Sequence, residues 1–168
     1  TSSVEYGQST IAQNLRDVAM IHTAEVGTQI FYLEHGSFDT HGIQEITHSK
    51  LWKEVSCAIT DFWDDLIHHD AHENVIMLLF SEFGRRVRDN GNGADHGSGG
   101  VAFLIGENVK GGMYGEYPSL EEKDHLDGDL HFTNDFRGTY SSIVEDWLNL
   151  DPIPIVKGQF EGFEFFKN

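Results

Sequence analysis

The chain has 168 residues, of which 39% are apolar and 12% aromatic, so it can bury one sizeable core and is too short for two independent ones. Its 28 acidic residues outnumber 11 basic ones, and the formal charge of -17 disfavours partners such as nucleic acid or anionic membrane surfaces. No apolar run approaches the roughly 20 residues of a membrane span. The single cysteine, Cys57, excludes an intramolecular disulfide and a cysteine-based zinc site, and we expect it to be buried.

The first predicted elements are a helix and a strand. Apolar residues recur at helical spacing over residues 9–24, with Ser9 or Thr10 available as the N-cap. Gly27 ends this pattern. Residues 28–33 (TQIFYL) then have the β-branched and aromatic content of a buried strand.

A second helix and a second strand follow. Over residues 47–69 the apolar residues lie on one stripe and the acidic residues largely on the other side. Residues 74–80 (NVIMLLF) form a near-continuous apolar run, which predicts a strand covered on both faces. Strand, helix and strand in this order indicate a right-handed βαβ crossover. The predicted fold class is therefore α/β, with a mostly parallel sheet flanked by helices.

The remaining half of the chain mixes loops and short elements. Residues 81–100 are polar and glycine-rich, as expected of a long loop, and a further strand is predicted over 101–105. The apolar spacing over residues 135–148 predicts a last helix, capped by Thr133 or Asn134. A phenylalanine-rich tail follows, and we expect it to pack on the chain's own core.

The residues best suited to bind a metal or a ligand follow the first two predicted strands. Asp39 and His41 come directly after the first strand, and Asp95 and His96 lie in the loop after the second. Ligands of open parallel sheets bind where such loops converge. Aspartate and imidazole are donors that zinc, manganese and iron accept, so this arrangement predicts a site for one or two divalent ions. In the alternative interpretation, the aspartates cap turns and the histidines are merely solvated.

Other side chains are further candidates for this site. Glu82 follows the second strand, and His48 begins the second helix a few residues beyond His41. His125 and His131 lie in an acidic loop, where either could supply a third ligand. The guanidinium of Arg85 is suited to clamp a phosphate or sulfate group, although an ion pair with local carboxylates is an equal alternative.

Short motifs run along nearly the whole chain. They are GxFDTH at residues 36–41, SEFGRR at 81–86, an Asn followed by GxDHG at 90–97, GGxYG at 111–115, GDL at 128–130, and TxDFR at 133–137 with DWL at 146–148. With these motifs the chain resembles the bacterial family catalogued as domain of unknown function 1501. That family is placed in the alkaline phosphatase and sulfatase superfamily.

The resemblance implies a partial alkaline-phosphatase-like domain that hydrolyses phosphate or sulfate esters of a small molecule or glycan. It also implies a divalent metal, zinc first, with manganese, calcium or magnesium as alternatives. Asp39 and His41 resemble the pair that binds one metal, and Asp95 and His96 resemble the pair that binds the other. Full-length family members carry a twin-arginine export signal, so the expected location is periplasmic or extracellular.

The resemblance further implies that part of the active site lies elsewhere. In the superfamily the nucleophile comes from an amino-terminal half, and no segment of this chain matches it. We therefore expect residues 1–168 to be a carboxy-terminal portion that associates with a missing amino-terminal half. The alternatives are a non-catalytic superfamily member that binds a glycan or a protein partner, and a structural role suggested by the phenylalanine-rich tail.

Overall fold

A computed structural model describes residues 2–167, and these form two compact units. The first unit runs to Val75 and also contains Asp89–Asp95. The second unit contains Ile76–Arg88 and the chain from His96 onward. Over the described residues, no helix combines the length and the apolar character that crossing a membrane requires.

The first unit is built on two helices, α1 (Thr10–Thr23) and α2 (Gln44–His68), which pack against each other. The hydroxyl of Ser9 caps α1 by accepting from the Ala12 amide at 3.3 Å. Both helices bury the apolar stripe that the spacing predicts, which consists of Ile11, Ala12, Leu15, Ala19, Leu51, Val55, Ala58, Phe62 and Leu66. Cys57 lies off this stripe and is exposed, so the prediction of a buried thiol is wrong.

A buried carboxylate joins the beginning of the chain to α2. Asp65 is 2% exposed and accepts hydrogen bonds from the amide and hydroxyl of Ser3, each at 2.9 Å, and from the Tyr6 hydroxyl at 3.1 Å. Burial alone would raise the pKa of Asp65, but the hydrogen bonds outweigh it and hold the pKa below its ordinary value. The ionised carboxylate therefore organises the segment ahead of α1.

The second unit contains a short sheet and the last helices. Strand β1 (Ile76–Leu79) pairs antiparallel with β4 (Phe103–Gly106), in a register that sets Ile76 opposite Gly106. Helix α3 (Phe136–Ser142) is capped by the Asp135 side chain and continues as a π-helical turn over Ile143–Trp147. A 3-10 turn at Glu122–Asp124 and the short helix α4 (Ile153–Val156) are the other helical elements in the described part of this unit.

The phenylalanine-rich tail packs within the second unit, as predicted. Phe165 is buried, its ring meets that of Tyr114 edge-on at 4.9 Å, and its carbonyl accepts from the Lys110 amide at 2.6 Å. Phe166 stacks on Trp147 with 5.5 Å between the ring centroids. The tail thus closes over the second unit's own apolar side chains.

Residues 81–100, predicted to be a loop, form a hairpin. Strands β2 (Gly84–Asp89) and β3 (Ala94–Gly97) make a second two-stranded sheet, and the Asn90 amide donates to the Gly93 carbonyl at 2.9 Å in the connecting turn. The turn and the strand ends beside it belong to the first unit.

The predicted α/β fold, a mostly parallel alkaline-phosphatase-like sheet flanked by helices, is therefore wrong. The described residues contain two small antiparallel sheets of two strands each. Residues 28–33, the expected first strand, form no regular element, so the part of the chain that the structure describes contains no βαβ crossover. The apolar run at β1 pairs instead with β4, the next apolar run along the chain after the hairpin, and this local pairing is antiparallel.

Candidate metal centre

The imidazole of His41 lies between two carboxylates within the first unit. Its Nε2 is 3.0 Å from Oδ1 of Asp39, and its Nδ1 is 2.9 Å from Oδ1 of Asp95. The three side chains are between 51% and 59% exposed. The structure thus brings together three of the residues that the motifs singled out.

The segment carrying Asp39 and His41 is held from behind by His48. Nε2 of His48 lies 2.8 Å from the Thr40 hydroxyl and 3.2 Å from the Phe38 carbonyl. Because a carbonyl only accepts, Nε2 must carry the proton and donates to both oxygens. The Thr40 side chain is buried at 8% exposure. His48 therefore serves as a support of the segment, and the same contacts keep Thr40 from acting as a base-activated nucleophile.

The turn between β2 and β3 holds the other side of the site. The Asn92 side-chain oxygen accepts from the Ile43 amide at 3.1 Å, and Ile43 has a φ of 53°, which is costly for a β-branched residue. Gly93 lies so close to His41 that a Cβ there would be 2.9 Å from the His41 carbonyl carbon. This close approach requires glycine and lets the turn sit directly against the histidine.

Asn90 connects both sides of the arrangement. Its side-chain amide nitrogen lies 3.1 Å from the His41 carbonyl and 3.1 Å from Oδ1 of Asp95. Its side-chain oxygen accepts from the amides of Asn92 and Gly93. The sequence analysis assigned Asn90 no role, since an amide that orients a carboxylate has no spacing signature of its own. The Asn-Gly pair at residues 90–91 was the available signal for the turn.

The geometry at Nε2 of His41 and Oδ1 of Asp39 suits a divalent cation. Two ligand atoms at about 2.1 Å from a zinc ion are about 3.4 Å apart in a tetrahedral site. At about 2.1 Å in an octahedral site, neighbouring ligands are about 3.0 Å apart. The observed separation is 3.0 Å, so shifts of a few tenths of an ångström at most would seat either kind of ion. The donor set, one imidazole nitrogen with carboxylate oxygens, fits zinc or manganese.

The other predicted site residues lie in the second unit. The ring of His96 stacks on Phe83 at 3.9 Å between centroids, and its carbonyl accepts from Nε of Arg86 at 3.2 Å. The Arg85 guanidinium lies over the same Phe83 ring, 5.1 Å from its centroid. Glu82 lies exposed just ahead of β2. The roles of His96, Glu82 and Arg85 at a metal or anion site stay predictions.

The acidic loop of the second unit contains His125 and His131. Nε2 of His125 is buried and makes no hydrogen bond with the described residues. His131 is exposed, with its ring edge-on to Phe132 at 5.4 Å. These contacts do not support metal binding by His125 or His131.

Asp129 is a structural carboxylate that the sequence analysis did not single out. It is 7% exposed, and Oδ1 accepts from the amides of Val87 at 3.3 Å and Leu130 at 2.8 Å. It follows a two-residue turn, Asp127-Gly128, in which both residues have positive φ. Leu126 and Asp129 exchange two backbone hydrogen bonds across this turn. The GDL motif thus encodes a tight turn and an anchor for β2.

The model of a family described as protein of unknown function (DUF1501) matches residues 5–139. This span covers most of the chain and includes Asp39, His41 and the whole β2–β3 hairpin. No curated protein matches the chain. No solved structure matches it either.

Proposed function

The chain belongs to the DUF1501 family, and we propose that it binds a divalent cation between Asp39 and His41, with Asp95 supporting the His41 ring, as part of a metal-dependent hydrolase of phosphate or sulfate esters. The observation that carries the proposal is the His41 imidazole, with each ring nitrogen within 3.0 Å of a carboxylate from a different segment. The substrate class comes from the alkaline phosphatase and sulfatase superfamily, in which the family that the motifs resemble is placed, and the exported location comes from the twin-arginine signal of full-length family members. Zinc is the first candidate ion.

Asp95, His41 and Asp39 each have a different role in the proposed site. Asp95 accepts a hydrogen bond from Nδ1–H, so the lone pair of Nε2 faces Asp39. A carboxylate that holds a metal-binding histidine in this way fixes its tautomer and increases the basicity of the ligand. Asp39 supplies a negative oxygen beside Nε2. A cation bound there would polarise an ester and lower the pKa of a water molecule.

A second function, cation-dependent binding of a glycan or protein without turnover, is favoured by the exposure of the site. His41, Asp39 and Asp95 are 51%, 59% and 54% exposed. Hydrolytic sites gain much of their power by excluding water around the reacting group. An open site on a surface instead suits a cation that bridges the protein to an anionic ligand.

The discriminating experiment measures metal content and turnover together. The purified chain is loaded separately with zinc, manganese, calcium and magnesium, and is then assayed with p-nitrophenyl phosphate and p-nitrophenyl sulfate. His41→Ala tests the site, and His68→Ala, an exposed histidine at the end of α2, is the matched control. Metal-dependent hydrolysis that His41→Ala abolishes and His68→Ala preserves supports the hydrolase. Bound metal without turnover contradicts hydrolysis by a metal-activated water at this site and supports the non-catalytic function, and absence of metal binding contradicts both.

A further inference from the structure

We propose that Asn90 is a positioning residue for His41, because its amide holds the Asp95 carboxylate in the place where that carboxylate accepts the hydrogen bond from Nδ1–H. This inference adds a supporting residue to the proposed metal site. The reason it gives for the Asn90 contacts rests on the proposed function. Asn90, His41 and Asp95 all belong to the first unit. The inference therefore depends only on contacts within that unit.

The orientation of the Asn90 amide is fixed by its own turn. Its oxygen accepts from the Asn92 amide at 3.1 Å and from the Gly93 amide at 2.9 Å. Backbone N–H groups only donate, so the side-chain oxygen must face them and the nitrogen must point the other way. A flipped amide would set donors against donors at two places. The direction of the amide nitrogen thus follows from the hydrogen-bond network.

The amide nitrogen then reaches both parts of the site. It lies 3.1 Å from the His41 carbonyl and 3.1 Å from Oδ1 of Asp95. Oδ1 of Asp95 is the same oxygen that lies 2.9 Å from Nδ1 of His41. One amide therefore fixes the carboxylate relative to the backbone of the histidine that the carboxylate serves. Asn90 and His41 are 49 positions apart, so no local chain geometry would set this distance.

Exposure makes this support necessary. The Asp95 side chain is 54% exposed, and exposed charged pairs are weak because water competes for both groups and each side chain loses freedom. A carboxylate without an anchor would rotate among rotamers. Held by Asn90, Asp95 keeps its oxygen on Nδ1, and the imidazole proton stays on that nitrogen. Nε2 is then the ring nitrogen that faces Oδ1 of Asp39, 3.0 Å away, where the proposed cation would bind.

The test compares Asn90→Ala and Asn90→Ser with the control Asn92→Ser. Serine retains a hydroxyl that can accept from turn amides, although more weakly than asparagine, and it removes the amide donor. Asn92 bonds the Ile43 amide through its oxygen, so Asn92→Ser loosens the same turn and leaves the Asn90 amide intact. None of the three substitutions changes the charge of the protein.

The first readout is the 15N NMR signature of the His41 ring in metal-free protein at alkaline pH, where the imidazole is neutral. We expect the Nδ1–H form in the wild type and in Asn92→Ser, and a shift toward Nε2–H in both Asn90 variants. The second readout is the zinc dissociation constant, which should rise about 10- to 100-fold in the Asn90 variants.

A wild-type ring signature in both Asn90 variants would overturn the inference, as would an equal shift in Asn92→Ser. The ring signature needs no metal, so it separates this inference from the proposed function. If the wild type binds no zinc while the signature moves as expected, the proposed function fails and the positioning role of Asn90 stands.

Discussion

Nδ1 of His41 lies 2.9 Å from Oδ1 of Asp95, although 54 positions separate the two residues. This contact joins the irregular FDTH segment ahead of α2 to the beginning of β3 in the β2–β3 hairpin. It is stabilised by Asn90, Asn92 and the absence of a side chain at Gly93. The family motifs GxFDTH and GxDHG thus have a physical meaning as the two halves of one arrangement.

Substituting Asp95 tests the support of His41 directly. Asp95→Asn keeps the shape of the side chain and removes the charge that fixes the Nδ1 proton. We expect the zinc dissociation constant to rise about 10- to 100-fold, measured by isothermal titration calorimetry. Asp64→Asn, at an exposed carboxylate of α2, is the control and should leave the constant unchanged. Equal zinc affinity in Asp95→Asn and the wild type would contradict the role of Asp95 as the support of His41.

Asp65 should make the first unit sensitive to acid. Asp65→Asn leaves the donors of Ser3 and Tyr6 facing an amide, and we expect a loss of about 1–3 kcal/mol in the free energy of unfolding at pH 7. Since its folded-state pKa is depressed, the wild-type advantage is complete above the unfolded pKa of about 3.9 and disappears as the pH falls through the folded pKa.

Urea unfolding of both proteins between pH 7 and pH 3 measures the Asp65 effect. The difference in unfolding free energy should narrow toward the acid end. A difference that stays constant across this range would show that the charge of Asp65 contributes nothing to stability.

Gly97 in the DHG motif should tolerate no side chain. A Cβ at this position would overlap Oδ2 of Asp129 and lie 2.7 Å from the Arg85 carbonyl carbon. We expect Gly97→Ala to destabilise the protein by about 1–3 kcal/mol in thermal unfolding. Gly100→Ala is the matched control, because the nearest atom, the Gly84 Cα, is 3.5 Å away. Similar melting temperatures of the two variants would refute the close packing of Asp129 on Gly97.

The cap of α3 should persist into strong acid. Hydrogen bonds from the side chain and the backbone amide of Arg137 lower the pKa of Asp135 to about 2. The cap's contribution is therefore present above the unfolded pKa of about 3.9 and is lost as the pH falls through about 2.

Carboxyl 13C NMR titration of Asp135 measures this pKa. In Arg137→Ala the side-chain donors are lost and the backbone donor remains, so the midpoint should rise and stay below the ordinary value. A midpoint near 3.9 in the wild type would contradict the cap geometry. Asp135→Ala should cost about 1 kcal/mol at neutral pH, the usual effect of removing an N-cap.

The helices were predictable because their information is local. The apolar spacing and the Ser9 cap specify α1, and the stripe through Leu51, Val55 and Phe62 specifies α2. The sheet was not predictable in this way. Residues 28–33 have strand composition, but a strand exists only where a partner supplies hydrogen bonds, and composition does not identify the partner. The polar character of residues 84–97 likewise concealed a hairpin whose signal was the Asn-Gly turn.

Half of the candidate site could be predicted from sequence. The motifs selected Asp39, His41 and Asp95, which the structure brings together. Their predicted convergence rested on a parallel sheet, which residues 2–167 do not contain, so these residues were chosen through an incorrect geometry. The supporting residues Asn90 and His48 act through hydrogen bonds to backbone carbonyls and amides, and such contacts leave no periodic pattern in a sequence.

Zinc titration of the wild type and His41→Ala, monitored by isothermal titration calorimetry with His68→Ala as the control, tests the central claim most directly. The proposed site predicts zinc binding in the wild type and in His68→Ala, with the binding lost or weakened at least about 10-fold in His41→Ala. Equal zinc binding by all three proteins, or no binding by the wild type, would contradict a metal centre at Asp39 and His41 supported by Asp95.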